Sequence, residues 1–539
     1  MNDTQVIVIG AGPVGLTLTV ALGDLGVRCV LLERNEAPAG LPKMERCNAR
    51  TMEIYRRLGI VDEIRAAGLP AECPMDVFVV TSLVEEPILN LPYGSVKDCK
   101  EDIAAHNNGT RTLEPYQLIS QYTLEPLLKN IAERDSNIDV RFGNELLRFE
   151  DCGDKVTAYT KQANGAEETI TGDYLVGCDG GASTVRKQLG IKLAGEGEML
   201  TMYQALFRCD DLYERIPIGK GRHYHVCDDQ SGFIIVQDDT RHFTLHAVMD
   251  DPADMPKLFE KIVAMPIEYE TLYIGQWTQK LLVADRYGKG RVFIAGDAAH
   301  LVIPTGGLGM NTGVGDVIDL AWKLQGALGG WGGEELLSSY ETERRQIGVR
   351  NVAASGRANA GRRKWRSAWR PQIRDKTPEG AEIRANVAEI ANREQRKTNE
   401  ILGIEAGYRY IDSPLIWPEP GEAPDSNNPE YIPSIWPGFR LPHVWLEDGS
   451  AIHDHLGKGY ILLRFDNDRT DLSDLIFGFE KLGAPFEVIA LDDPHAVGIY
   501  EGYELFLLRP DLHIVWRGNE APADSESLVA IATGNSPPG

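Results

Sequence analysis

The stretch QVIVIGAGPVG at residues 5–15 decides the fold, together with the segment RCVLLE at residues 28–33. Gln5 to Ile9 is a β-branched run suited to a buried parallel strand, and the glycines after it mark a turn that opens a helix reaching to about Gly26. Residues 28–33 supply the next strand. Gly10, Gly12 and Gly15 fit the GxGxxG pattern in this strand-turn-helix setting, with Pro13 inside the turn and Glu33 eighteen residues beyond Gly15. Gly10 permits the tight turn, Gly12 lets the backbone approach a pyrophosphate, and Gly15 lets the helix pack close to the strand. The helix N-terminus offers free N–H groups and a positive dipole end to phosphates, and Glu33 can accept hydrogen bonds from ribose hydroxyls. The pattern predicts dinucleotide binding and leaves FAD and NAD both open.

Two later segments repeat the strand-turn signal. Tyr174 to Cys178 runs into Asp179-Gly180-Gly181, and Arg291 to Ala295 runs into Gly296-Asp297. Both carboxylates then fall at the C-terminal ends of strands, where ligands of open α/β sheets lie. Pro304 to Asn311 opens a further helix, whose apolar positions Val314, Val317, Ile318, Ala321 and Leu324 recur at helical spacing. That second N-terminus favours a flavin, because a reduced flavin carries negative charge that a helix dipole stabilises. Between these segments, residues 190–285 read as antiparallel strands at Tyr203–Arg208, Gly232–Gln237 and Arg241–Met249.

With 539 residues, 43% of them hydrophobic and 25% charged, the chain has material for several buried cores and is not disordered as a whole. Its 80 acidic and 55 basic residues give a formal charge of −25, which repels nucleic acid and anionic lipid. All eight cysteines lie at or before Cys227 without a CxxC pair, so reduced thiols and a cytoplasmic location are expected, with no metal site. Thr4 to Gly23 carries no charge, but Asp3 stands where a signal peptide needs basic residues and the glycines interrupt the apolar run, so no membrane span is expected. Residues 344–374 hold ten Lys or Arg and no acid. That run reads as a solvated helix face docked on the acidic surface of the chain, with phosphate binding as the alternative. Residues 412–442 are proline-rich and read as a linker. Beyond them come strands at Gly459–Phe465, Pro485–Leu491, Glu504–Arg509 and Leu512–Trp516, a helix near 471–482 and a turn at Pro510-Asp511.

Three motifs in order, Gly10–Gly15 with Glu33, Tyr174–Arg186 and Arg291–Asn311, resemble the flavin-dependent aromatic hydroxylases of the p-hydroxybenzoate hydroxylase and phenol 2-monooxygenase type, over roughly residues 5–365. The tail resembles the thioredoxin-like C-terminal domain of the phenol hydroxylase group, notably at Pro437–His443 and Arg509-Pro510-Asp511. Because no cysteine follows Cys227, that domain cannot carry dithiol chemistry, and a structural or dimerisation role is expected. The implied fold is α/β: a Rossmann-like FAD-binding domain (1–75, 100–189 and 286–400, with a helical extension), an inserted antiparallel-sheet substrate domain (76–99 and 190–285), and a linker with a thioredoxin-like domain (401–539).

The resemblance implies non-covalent FAD, NADPH or NADH as reductant, O₂ and a small aromatic substrate as partners, and a homodimer. Hydroxylation would proceed through a flavin C4a-hydroperoxide, with water excluded. Baeyer-Villiger oxygenation of a polycyclic ketone, or an FAD dehydrogenase or oxidase, are the alternatives. By the same resemblance Glu33 and Arg34 sit at the adenosine, and Lys43, Arg50 and Gln121 lie by the ribose, diphosphate or ribityl chain. Asp297 holds the ribityl-diphosphate end, and Asp179 belongs to a motif shared between FAD and the nicotinamide donor. Pro304, Gly307, Gly309, Met310 and Asn311 line the isoalloxazine. Leu308 and Lys43 depart from the family, where Gln and Arg are common. An ionised phenolate reacts best, so a hydrogen-bonding or basic residue is expected on the inserted sheet facing the flavin. Tyr224, Gln237 and His246 are the candidates, each of which also fits an ordinary strand position, and Pro304 joins them in the catalytic set.

Overall fold

In the computed structural model, which describes residues 3–237 and 239–536, the opening strand Val6–Ile9 lies near the middle of a six-stranded sheet. It pairs in parallel with Cys29–Glu33 on one side and Tyr174–Gly177 on the other, and Ile138–Phe142 and Val292–Ile294 extend the parallel array. A two-residue strand, Gly288–Lys289, closes one edge antiparallel. All four residues of Val6–Ile9 are buried, as a strand covered on both faces requires. Gly10 turns the chain at φ +102°, a conformation that a side chain would strain. A Cβ on Gly15 would lie 1.9 Å from the Gly10 carbonyl oxygen, so only glycine lets the helix Pro13–Asp24 start this close to the strand.

A seven-stranded sheet stands apart from the first. Its order is Glu270–Thr278, Thr201–Arg208, His242–Ala247, Phe233–Val236, His223–Val226, Val77–Val80 and Leu89–Leu91. Only Val77–Val80 pairs in parallel, with His223–Val226. One face of this sheet packs Phe78, Tyr224, Ile234, Phe243 and Leu245 against Phe259 of the helix Met255–Val263. The opposite face looks toward the first sheet.

Two long helices, Leu308–Gly329 and Glu334–Arg366, pack on each other, and Leu308–Gly329 also packs on Pro13–Asp24. The basic run that begins on the second of them is solvated in part: Arg345, Arg357, Arg363, Lys364, Arg370 and Arg374 are exposed, while the other four basic residues turn inward. Arg344 is buried and pairs with Asp316 at 3.0 Å, Arg350 donates to the carbonyls of Gly403, Ile404 and Ser426, and Arg362, Arg363 and Arg366 border the main cavity.

Residues 412–442 carry no helix or strand, yet Leu415, Tyr431, Ile435 and Leu441 are buried, so the stretch is packed and not a free linker. The tail forms a four-stranded sheet in the order Phe486–Ala490, Tyr460–Arg464, Leu505–Leu508, Ile514–Gly518, with one parallel and two antiparallel pairings. Its core is continuous with the body: Tyr460, Phe479 and Trp516 share a cluster with Trp322, Trp331 and Leu336. Among the described residues no helix is long and apolar enough to cross a membrane.

Candidate functional site

Between the two large sheets lies a cavity of about 700 Å³. Its first half is built by the glycine motifs. Gly10, Ala11, Gly12 and Pro13 line it, and the space where a Gly12 Cβ would stand is open. The helix Pro13–Asp24 has no side-chain cap, so its first N–H groups are left for a ligand. Glu33 Oε2 accepts from the Ala11 N–H at 2.9 Å and its Oε1 accepts from Asn35, which ties the loop to the strand end. Arg34, Lys43 and Gln121 line the same half, and Gln121 donates to Glu125 at 2.7 Å.

A second uncapped N-terminus, that of Leu308–Gly329, starts at Gly307, and Pro304, Gly307, Gly309 and Met310 line the cavity beside it. Asp297 lies beside this helix start. Its carboxylate makes no hydrogen bond or ion pair among the described residues and stands exposed at the cavity, and desolvation by the surrounding protein raises its pKa against the pull of His300 and Lys43. An unanswered carboxylate between two free helix N-termini fits a dinucleotide that brings hydroxyls to the acid and phosphates to the amides. Asp179 also borders the cavity, but its carboxylate is occupied in capping the helix Thr184–Gln188, accepting from Ser183 Oγ and from the Thr184 and Val185 N–H groups.

Four of the expected positions need correction or refinement. Gly15 acts through the close approach described above and does not line the cavity. Arg50 points away from it: its guanidinium donates to the Asp511 carbonyl at 3.0 Å and to Glu53, beside a separate 60 Å³ cavity against the tail. Asn311 also stays outside. Its Oδ1 accepts from the Asn48 N–H and Thr51 Oγ1 and its Nδ2 donates to the Arg46 and Gly307 carbonyls, fastening residues 46–51 to the helix start.

Tyr224 is turned away by strand parity. Alternate residues point to opposite faces, and Tyr224 falls with Ile234 and Leu245 on the core face, where it stacks on Phe78 at 5.3 Å and its hydroxyl donates to the Gly219 carbonyl. The cavity face carries His223, His225, Phe233, Ile235, Gln237, Thr244 and His246. Gln237 accepts from Ser120 Oγ at 3.0 Å and donates to Thr244 Oγ1 at 2.7 Å. His246 stacks on Phe233 at 4.6 Å and accepts from Trp277 Nε1 at 3.2 Å. Burial holds it neutral, with its pKa down to about 3.

The sequence reading passed over the charged group at the junction of the two halves. Glu45 takes His223 Nε2 at 2.7 Å and Arg222 Nε at 3.3 Å. Burial would raise its pKa, but His223, Arg222 and Arg46 outweigh that and hold it down to about 2. Parity was the available signal: once Ile234, Val236, Phe243 and Leu245 are taken as the core face, His223 and His225 follow onto the other.

Two uncapped helix starts and a free carboxylate around one cavity, joined to a second chamber with aromatic walls, define a dinucleotide-dependent oxidoreductase with an enclosed substrate site. Residues 3–355 match the FAD binding domain family, and residues 434–534 match the C-terminal region of aromatic-ring hydroxylases. The FAD-dependent monooxygenase apdD of Emericella nidulans is 32% identical, covering 99% of this chain and 91% of its own. Among solved structures, the rebeccamycin biosynthetic enzyme RebC with reduced flavin superposes with a TM-score of 0.90 at 30% identity, over 99% of each chain. Aklavinone-11 hydroxylase in a ternary complex with FAD and aklavinone gives 0.84 at 28% identity, over 99% of this chain and 100% of its own. The chain belongs to the FAD-binding aromatic-ring hydroxylases and is an FAD-dependent aromatic monooxygenase.

Proposed function

We propose that this monooxygenase hydroxylates a fused-ring phenolic substrate, with NADH or NADPH as reductant and O₂ as the oxygen source. The observation that carries the reading is the continuity of one cavity from the Gly10–Gly12 cradle to the Phe233, His246 and Trp277 wall, which offers flat aromatic surface to a ring system. The relatives support it, since the aklavinone-11 hydroxylase structure is a ternary complex with FAD and aklavinone. When bound, FAD supplies the redox and oxygen-activating chemistry. The protein's part is to hold the cofactor through Gly10, Gly12, Pro13, Glu33, Arg34, Lys43, Gln121 and Asp297, with Asp179 shaping the adjoining turn. Pro304, Gly307, Gly309 and Met310 form the wall at the second helix start. Glu45, kept ionised by His223 and Arg222, accepts a hydrogen bond from the substrate hydroxyl at the junction, and Gln237 and neutral His246 orient the ring. Phe233, Ile235 and Trp277 keep water from the reacting end. Incorporation of ¹⁸O from ¹⁸O₂ into product, with NAD(P)H consumption and hydrogen peroxide followed across a series of phenols, tests the reading. NAD(P)H oxidation without labelled product opposes it.

We infer the following domain division. The six-stranded sheet is the Rossmann-like unit (1–75, 100–189 and 286–400), and the seven-stranded sheet is the substrate unit (76–99 and 190–285). The 401–539 tail is thioredoxin-like, a reading supported by its strand order with one parallel and two antiparallel pairings. A cytoplasmic location accords with the eight free cysteines. A homodimer would cover apolar tail surface such as Phe477, which is 63% exposed, and sedimentation checks it.

FAD is held without a covalent bond in this reading, so denaturation is expected to release it free into solution; flavin retained on precipitated protein counts against it. Asp297→Ala is expected to weaken FAD binding, since a hydrogen bond to a charged group contributes about 1.5–3 kcal/mol, or roughly tenfold to more than a hundredfold in affinity. Flavin occupancy at limiting FAD reads this out, and unchanged occupancy rejects the role.

A further inference from the structure

The helix Glu334–Arg366 brings Asn359, Arg362 and Arg366 to the cavity at one-turn spacing. The arginines that hold this helix in place have occupied guanidinium groups. Arg344 pairs with Asp316 and donates to the Thr312 carbonyl and the Tyr410 hydroxyl, and Arg366 donates to the carbonyls of Val226 at 3.2 Å and Gly232 at 3.0 Å. Arg362 differs. It makes no hydrogen bond or ion pair at all among the described residues: its Nε, like that of Arg366, is buried without a partner, and its guanidinium, unlike that of Arg366, donates to no carbonyl and lies 5.3 Å from the centroid of Phe233. Glu45, the carboxylate whose charge reaches it, is already bonded to His223 and Arg222. Burial and the charge of Arg366 press its pKa down to about 9, so it remains a cation at neutral pH. A half-buried cation at the cavity wall, with no hydrogen-bonded or ion-paired partner among the described residues, is a site that calls for an anion. The ring beside it is Phe233, which stacks on His246, so the anion comes attached to an aromatic system.

We propose that Arg362 binds an oxyanion on the aromatic substrate, a ring carboxylate or an ionised ring hydroxyl, and so sets which way the substrate faces in the chamber. The inference rests on the aromatic-substrate reading above and narrows it to anionic substrates. The planar fork of Arg362 suits a two-oxygen acceptor best, while a phenolate takes one of its N–H groups. The groups facing Arg362 are Arg366, Glu45, His225 and His246. Both histidines are held neutral by burial, and Glu45 stays ionised, so between pH 6 and 8 the ligand's own ionisation dominates any change in binding.

The test measures equilibrium binding to the FAD-loaded enzyme by titration calorimetry. The probes are 2-naphthoate, its methyl ester, and 4-nitro-1-naphthol. The wild type is expected to prefer 2-naphthoate to the ester at least tenfold, or to bind the nitronaphthol more tightly as pH rises through that phenol's own pKa; the first outcome identifies a carboxylate and the second a phenolate. Arg362→Gln should abolish the preference, and Arg362→Lys should restore part of it, with flavin content and melting temperature unchanged. Should the variants fail to fold, the wild-type acid and ester comparison decides alone. Equal affinity for acid and ester together with a flat pH response, or no detectable binding of either anion, overturns the proposal. Labelled-oxygen incorporation into neutral phenols would at the same time leave the hydroxylase reading standing.

Discussion

Arg509→Ala is expected to destabilise the protein by about 3–5 kcal/mol, the cost of leaving buried partners uncompensated. The Arg509 guanidinium comes from the tail and reaches Glu343 at 2.5 Å, Asp319 at 2.9 Å and Asp511 at 2.6 Å, all essentially sealed from solvent. Lys323 completes the cluster, at 2.7 Å from Asp319 and 2.5 Å from Glu343. Two cations face three carboxylates there. Accordingly Glu343 is held down to about 2 by Arg509 and Lys323 against its burial, while burial lifts Asp319 toward about 7. Removing Arg509 leaves one cation for three acids in a dry site. Urea or thermal unfolding measures the loss, and an unchanged midpoint would contradict it. Removing the tail from about Pro437 does the same on a larger scale. Arg57 would lose the Gly457 and Pro510 carbonyls, Arg50 would lose that of Asp511, and the Trp322 cluster would lose Tyr460 and Phe479. The truncated chain is expected to aggregate and to lose flavin.

Acid should destabilise the protein steeply, beginning near pH 6.5. Burial depresses His246 and His443 to about 3 and His513 to about 4, and holds His225 and His453 well below the usual value. A histidine with a depressed folded pKa gains a proton on unfolding, so the unfolded chain binds more protons between that value and 6.5. The stabilising contribution is therefore complete above about 6.5 and is lost as pH falls. At one unit below 6.5 each ring favours unfolding by about 1.4 kcal/mol, so His246, His443 and His513 together contribute about 4 kcal/mol, and His225 and His453 act in the same direction. Asp319 and Asp297, whose folded pKa values are raised, act in the opposite direction and soften the slope. Against a typical total of about 5–15 kcal/mol, this places a marked fall in melting temperature between pH 6.5 and 5.5. A melting temperature that stays level over that range would mean that the rings are not held neutral.

The nucleotide half of the site was legible because its information is local. GxGxxG, the strand before it and Glu33 lie within about thirty residues, and the turn imposes its glycines whatever the rest of the chain does. The same holds for Asp297 and for the helix start at Gly307, which follow strand-turn and turn-helix signals in continuous sequence. The tail's strands and the Pro510-Asp511 turn were readable for the same reason.

The substrate half was not readable in this way, because its members come from segments whose register and direction are settled only by packing. Tyr224 and His223 are adjacent in sequence and point to opposite faces, and the strand's pairing with Phe233–Val236 against one apolar core decides which faces the cavity. Arg50, Asn311 and Arg362 illustrate the same limit: residue type and family position suggested ligand contact for the first two and solvent for the third. Arg50 is drawn to the tail's Asp511 carbonyl, Asn311 to the 46–51 segment, and Arg362 to the cavity wall beside Phe233. By itself the sequence determined the dinucleotide cradle, the layered strands and the chemistry available. Only the tertiary structure decided which charged side chains find partners and which are left to meet a ligand, because the energy of a buried charge depends on neighbours that the chain order does not place beside it.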